Sequence, residues 1–493
     1  MTTTTVRALA ESTPDTRDRY VDLLRVASLA TVVGGHWLMA AVTTGGRDGG
    51  RDGGDARVGN LLAVVPELQV LTWLLQVMPV FFFVGGFSHA LSYRSLSRRH
   101  PEGSVYAAFL RGRLQRLLGP TTVFVLAWGA LALVVQLLGG GDGLTGVALR
   151  LVTQPLWFIG IYLAMVAFTP PLLRLHERWG WGAFGALAGA AALVDLLRFG
   201  AGVPYLEFLN FAFVWLAVHQ LGFLRADGRL TRPVVLAAAG LAGAAALVAL
   251  GPYPLSMVGM PGEKVSNMAP PTLALLCHGL WLVGAVEMLR GPGGRLVRRA
   301  RIWRAVVAAN GIAMTAFLWH LTAMLGVYGA LLAAGVALPE PASGAWWAQT
   351  PLRIAAAAVL TGLLVAVFRR FERPSAAPAA PPPPGTGPVA ATGIALSLFG
   401  VLGLSMTGFG GLLEGHSATL IAVPVTAPLA VAMTLGGRLL VARAGRGVRT
   451  GGATTGRKPT PVPRPVPAGR RSGPAPSPPG RESAPAGRTP RGD

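Results

Sequence analysis

A chain of 493 residues that is 52% hydrophobic and only 13% charged has the composition of a polytopic membrane protein, since a soluble chain carries about 25% charged residues. The formal net charge of +22 raises a nucleic-acid partner, but the basic residues lie in short loops between apolar runs and in the C-terminal tail. That is the distribution of cytoplasm-facing loops, and it argues against nucleic acid. The one cysteine, Cys277, lies in an apolar run and excludes a disulfide framework and a cysteine-based metal site; no metal is expected.

Residues 1–20 are polar, include acidic residues and offer no small-residue cleavage site, so they read as a cytoplasmic N-terminal segment rather than a signal peptide. Apolar runs of bilayer-crossing length, about 20 residues each, follow near 21–42, 68–92, 117–138, 152–173, 180–198, 205–224, 233–251, 271–290, 305–334 and 351–369. The expected fold is all-α, a polytopic transmembrane helical bundle with a ten-span core in residues 21–373. Residues 374–390 form a Pro/Ala-rich linker, extended and semi-rigid. Two additional C-terminal spans fill 391–441, and the basic tail 442–493 is rich in Pro, Gly, Ser and Arg and is expected to be disordered and cytoplasmic.

Arginines follow the even-numbered spans: Arg94, Arg98 and Arg99 after the second, Arg174 and Arg178 after the fourth, Arg225, Arg229 and Arg232 after the sixth, and six from Arg290 to Arg304 after the eighth. The odd connections are glycine-rich or acidic, as in 43–67 with Asp48, Asp52, Asp55 and Glu67. Both termini are therefore expected in the cytoplasm, with the chain multi-pass in the plasma membrane. Lysine occurs only at Lys264 and Lys458, and with the heavy use of alanine and glycine this points to a bacterial source.

The first span carries Arg25 and His36, expensive residues inside an apolar run and by default a functional signal. They are eleven residues apart, so on a helix they share a face to within about 20° and lie about 16.5 Å apart along the axis. Arg25 falls near the cytoplasmic surface and His36 deeper. The competing reading of His36 is a polar residue that hydrogen-bonds to a neighbouring helix. Gly34 and Gly35 beside it are expected to let a neighbouring helix or substrate approach the backbone closely.

With Asp22 ahead of it, this pair resembles the Arg-x10-His signature of the acyltransferase-3 family of integral membrane O-acyltransferases. Arg111-Gly-Arg113-Leu-Gln-Arg116-Leu-Leu-Gly-Pro120 is similar to the family's basic segment leading into span three, and Trp157-Phe158 to its Leu-Trp-Phe element. Trp319-His320 is similar to its Tyr-Leu-x-His element, and Arg370-Phe371-Glu372-Arg373-Pro374 to the Glu-x-Pro closing span ten. The likeness covers about residues 17–374. Gly85 stands where the family often has serine, and no hydrolase-type domain follows the core.

The resemblance implies an acyltransferase that moves an acyl group, usually acetyl from acetyl-CoA, from the cytoplasmic side to a hydroxyl-bearing acceptor on the outer side, such as a glycan, glycolipid or secreted small molecule. Acyl-CoA is a donor substrate, no bound cofactor is expected, and membrane lipids surround the chain. Arg25, Arg113 and Arg116 would hold the donor's phosphates. His36 would act as general base or carry the acyl group covalently; the sequence leaves both open. His320 with Trp319 is a candidate support for His36 or for the acceptor, or a packing element. Asp195, Glu207 and Asn210, at the outer ends of spans five and six, are candidate acceptor contacts; Asp195 pairing with Arg198 is the plainer alternative. His89 and His219 read as interfacial residues as readily as functional ones, and Glu287 as the partner of Arg290. The loop 252–271 reads as a plain outer loop or a cover over an acceptor site. The alternative function is a proton-coupled secondary transporter using His36, Asp195, Glu207 and His320 as a relay.

Overall fold

The structure, a computed structural model, describes residues 3–44, 56–99, 104–140, 143–260, 262–372, 383, 385–413, 415, 417–420 and 423–445. Eighteen α-helices run along these residues. They begin with α1 (Thr3–Glu11) and α2 (Arg19–Met39), followed by a two-stranded hairpin of β1 (Ala40–Thr44) and β2 (Ala56–Asn60) and the short α3 (Leu61–Val64) and α4 (Thr72–Leu75). The bundle continues with α5 (Met78–Arg99), α6 (Val105–Leu137), α7 (Gly143–Leu151), α8 (Gln154–Trp179), α9 (Trp181–Gly200), α10 (Asn210–Ala226), α11 (Pro233–Leu250) and α12 (Leu273–Met288). After these come α13 (Arg290–Val297), α14 (Ala300–Asn310), α15 (Ala313–Ala333), α16 (Gly344–Phe368), α17 (Gly387–Thr407), the hairpin β3 (Ser417–Leu420) and β4 (Val423–Thr426), and α18 (Ala427–Ala444).

The fold is an all-α polytopic bundle. Among the described residues ten helical segments are long and apolar enough to cross a membrane, and α12 with α13, bent by 54°, makes an eleventh if the pair is one span. The helix α2 falls outside that set because it carries Asp22, Arg25 and His36, yet its 21 residues extend about 31 Å, the thickness of a hydrocarbon core.

Several boundaries differ from the sequence expectation. The first run does not stay helical to residue 42: β1 starts at Ala40, paired antiparallel with Asn60. The ninth run is two helices, because the chain breaks at Gly311–Ile312 between the amphipathic α14 and the apolar α15. The twelfth opens with a hairpin, Ser417 opposite Thr426, and only then becomes helical. Residues 48, 52 and 55 of the first outer loop, most of the 374–390 linker and the tail from 446 onward lie outside the described residues.

The helix α5 sits centrally, against α2, α6, α8, α10 and α12. Its Phe81, Phe82, Phe83 and Val84 are buried in succession, as expected of a helix covered on all sides. It meets α10 backbone to backbone: a Cβ on Gly86 would lie 1.9 Å from the His219 carbonyl oxygen, and one on Gly222 would lie 2.3 Å from the Phe83 carbonyl oxygen. The last two helices pair in the same way through Gly393, Gly400 and Gly437, and they pack on α8 and α6.

At the basic end of the bundle, Arg225 closes α10 with its side chain only 3% exposed. It binds Glu287 of α12 at 2.5 Å and Asp18 ahead of α2 at 2.9 Å. Glu287 is therefore spoken for by Arg225 rather than paired with Arg290 as the sequence suggested. Tyr20 strengthens this junction by donating to the Val286 carbonyl at 2.6 Å. Nearby, Asp227 accepts from Arg94 and His176. Burial alone would raise its carboxyl, but these hydrogen bonds outweigh it and hold the group below the usual carboxylate range.

Three substitutions probe this frame. Gly86→Ala drives a methyl into backbone and is expected to cost about 3 kcal/mol or more, the upper end of overpacking effects, whereas Gly34→Ala, with nothing within 4 Å, leaves stability unchanged. Glu287→Ala strands much of the Arg225 charge and is expected to cost about 3 kcal/mol. Thermal unfolding in detergent measures all three; equal melting of Gly86→Ala and Gly34→Ala would remove the α5–α10 contact from this account.

Candidate functional site

The polar residues of α2 form two stations on one stripe. At the first, Asp18 caps the helix by accepting from the amides of Tyr20 and Val21. Buried Asp22 then accepts from Arg17 at 2.6 and 3.0 Å and from Arg25 at 3.3 Å. Arg25 Nη2 donates to the Ser88 hydroxyl at 2.9 Å, and Arg113 of α6 donates to the Ser88 carbonyl at 2.9 Å. Ser88 of α5 thus draws two candidate phosphate-binding arginines together. Arg116, one turn along α6, is exposed. Nothing in the sequence singled out Ser88, because its role exists only where three helices meet.

Next to Ser88, His89 is fully buried, as is His219. The two rings are joined at 3.0 Å; Tyr162 lies 3.0 Å from the other nitrogen of His89, and Thr169 lies at 3.4 Å. Of the two readings of these histidines, the interfacial one does not hold: with the α5 and α10 backbones in contact, the rings are enclosed inside the bundle and joined to each other.

The second station is His36. Its Nδ1 lies 2.7 Å from Nε2 of His320 on α15, with the rings nearly parallel at 8° and 5.0 Å between centroids. The other nitrogen of His320, Nδ1, faces the Phe317 carbonyl oxygen. A carbonyl only accepts, so in neutral rings this nitrogen carries the proton and His320 Nε2 is an acceptor. His36 Nδ1–H must then donate to it, which leaves His36 Nε2 with a free lone pair. Trp37 donates to the His320 carbonyl at 3.1 Å and steadies the pair. Trp319 points elsewhere, stacked on Phe368 at 4.1 Å and set edge-on to Phe124 at 5.3 Å.

An aromatic wall links the stations. His320 stacks on Phe317 at 5.7 Å, Phe317 meets Phe158 at 4.9 Å, Phe158 meets Tyr162 at 6.3 Å, and Tyr162 meets His89 at 5.2 Å. The α2 stripe touches α5 at one end and α15 at the other, while α5 and α15 make little direct contact. Gly34 and Gly35 do not admit a neighbouring helix as the sequence suggested; a Cβ on either meets nothing within 4 Å.

The other candidates gather elsewhere. Buried Asp195 accepts from Asn210 at 2.9 Å, Tyr253 at 3.0 Å and the Leu273 amide at 2.7 Å. It is not paired with Arg198 but ties α9, α10, the 252–271 loop and α12 together. Burial and this carboxylate push the Tyr253 phenol up, so it stays a donor. Glu207 is half-buried in the turn before α10. The packing of α9 is on α8, α10 and α12, whereas α2 packs on α5, α13, α14, α15 and α16, so the Asp195 cluster and the His36 pair belong to different parts of the bundle. The 252–271 loop is folded, with buried Asn267 donating to the carbonyls of Pro254 and Ser256.

Glu372 acquires a physical role. It accepts from the Met314 and Thr315 amides, both at 3.0 Å, and from the Thr315 hydroxyl. The helix α15 has no side-chain cap of its own, so a carboxylate from the far end of α16 caps the helix that carries His320.

A family model described as an acyltransferase domain matches residues 18–370 of the chain. No characterised protein and no solved structure gives a match.

Removing the cap in Glu372→Ala is expected to cost about 1.5–3 kcal/mol, the range for hydrogen bonds to a charged group, and to speed hydrogen exchange at the first turn of α15. Unchanged exchange at Met314 and Thr315 would show that the cap does not hold the helix end.

Proposed function

The chain belongs to the acyltransferase-3 family, and from that premise we propose that the two stations of α2 form one transfer path, from acyl-CoA at Ser88 to an acceptor hydroxyl at His36. The protein is a multi-pass membrane acyltransferase acting on groups other than aminoacyl groups. In this reading the donor is acyl-CoA, with acetyl the first candidate, bound from the cytoplasmic side. Its phosphates meet Arg25 and Arg113 by charge-assisted hydrogen bonds, and Arg116 adds positive charge at the mouth. The pantetheine arm runs along Tyr162, Phe158 and Phe317, and the thioester reaches His36, about 16.5 Å farther along α2.

The observation that carries the reading is the hydrogen-bonded series from the Phe317 carbonyl through His320 to His36. It leaves His36 Nε2 as the one nitrogen of the pair able to take a proton from outside. That nitrogen removes the proton of an acceptor hydroxyl as its oxygen attacks the thioester carbonyl. The carbon–sulfur bond breaks, the thiolate leaves, and the imidazolium returns the proton to sulfur. His320 is a positioning residue, since it acts through His36. A covalent acyl group on the same Nε2 is the alternative route. The acceptor is a hydroxyl of an extracytoplasmic glycan, glycolipid or secreted small molecule, and the setting is a bacterial plasma membrane with both termini inside. Membership of the family leaves the transporter reading without an observation in its favour.

The test supplies labelled acetyl-CoA to the basic face of reconstituted vesicles and follows label into hydroxyl-bearing acceptors. His36→Ala is expected to lower transfer by about 10²–10⁴-fold, the usual span for a general base; full transfer in a normally inserted His36→Ala protein would sink the assignment. Ser88→Ala is expected to raise the donor KM about tenfold, the equivalent of ~1.4 kcal/mol, with kcat little changed. A one-residue insertion between Arg25 and His36 turns the imidazole about 100° off the stripe and is expected to abolish transfer while the span still inserts.

A further inference from the structure

Away from the transfer path, a cavity of about 410 Å³ opens between α1, the start of α2, the turn that joins α13 to α14, and α14. Four arginines line it, Arg7, Arg19, Arg298 and Arg304, against one acidic residue, Glu11. Glu11 is engaged by Arg7 at 2.7 Å. Among the described residues no carboxylate pairs with Arg19, Arg298 or Arg304.

The floor is rigid. Trp303 is 3% exposed and donates to the Ala10 carbonyl at 3.2 Å, which pins α14 to α1. The Arg19 guanidinium lies over its ring, 5.0 Å from the centroid. Beneath, Ala10, Trp303 and Val306 form a small apolar cluster with Leu23, Val26, Ile302 and Val307. Convergent guanidinium groups over an apolar base suit a phosphate, which arginine binds in bidentate fashion.

The height of the cavity identifies the source of the phosphate. Arg19 is the first residue of α2, and α13 leaves the α12 axis by 54°, so the arginines ring the bundle where a spanning helix leaves the hydrocarbon. A lipid places a phosphate at this level. We propose that this cavity is a binding site for the phosphate headgroup of an anionic phospholipid, separate from the acyl-donor path.

The experiment uses the full chain in detergent, titrated with short-chain phosphatidylglycerol or phosphatidylcholine and followed by native mass spectrometry and thermal unfolding. Inorganic phosphate and coenzyme A serve as soluble phosphate probes. The variants are Arg298→Gln/Arg304→Gln, both exposed positions that should fold normally, and Arg174→Gln/Arg178→Gln, an equal loss of charge elsewhere on the basic end. Phosphatidylglycerol is expected to bind and raise the melting temperature, with affinity about tenfold weaker in the first double variant and unchanged in the second. Equal weakening in both variants would reduce the site to general surface charge and overturn the proposal. So would equal retention of phosphatidylcholine, or loss in the first variant of stabilisation by inorganic phosphate or coenzyme A with lipid binding unchanged.

Discussion

Hydrocarbon offers no hydrogen bonds, so a polar group inside a membrane bundle is costly unless it finds a partner within the protein. That constraint accounts for most of what is specific in this structure. Asp195 collects three donors from three segments, and His89 binds both His219 and Tyr162. Arg225 is held between two carboxylates from distant parts of the chain. Each of these joins helices that lack a strong apolar reason to choose one another, because lipid is as apolar as leucine. The polar contacts, with the glycine contacts between α5 and α10, set which helices are neighbours.

The same constraint gives the candidate site its direction. With the Phe317 carbonyl as the terminal acceptor, neutral rings carry their protons on Nδ1 of His320 and Nδ1 of His36, which leaves the lone pair on His36 Nε2. Glu372 holds the end of α15, and so helps to hold His320. Arg25 is fastened to Ser88 and Asp22 at the other station. Both ends of the α2 stripe are thus positioned by other helices.

Sequence reasoning could place Arg25 and His36 relative to each other for a simple reason. A helix has a fixed period and rise, so the Arg25–His36 spacing determines their shared face and separation before any fold is known. Arg113, His320 and the Glu372 segment were found as parts of a pattern, and their contacts were not. Where local cues competed, the sequence misled: Glu287 has Arg290 one turn away but binds Arg225, and Asp195 has Arg198 one turn away but binds Asn210 and Tyr253. Proximity along one helix is visible in a sequence, and proximity between helices is not.

The amino-acid sequence by itself determined that this is an all-α membrane protein, where most spans lie, and which helix carries an arginine and a histidine in phase. These follow from hydropathy and helical geometry, which act locally. Only the tertiary structure decided that Ser88 gathers two arginines, that His89 and His219 are enclosed, that Phe317 orients the imidazole pair, and that α1 and α14 close around an arginine-lined cavity. Those features arise where helices far apart in the chain meet, and the meeting is chosen by buried polar pairs and glycine contacts that have no local signature.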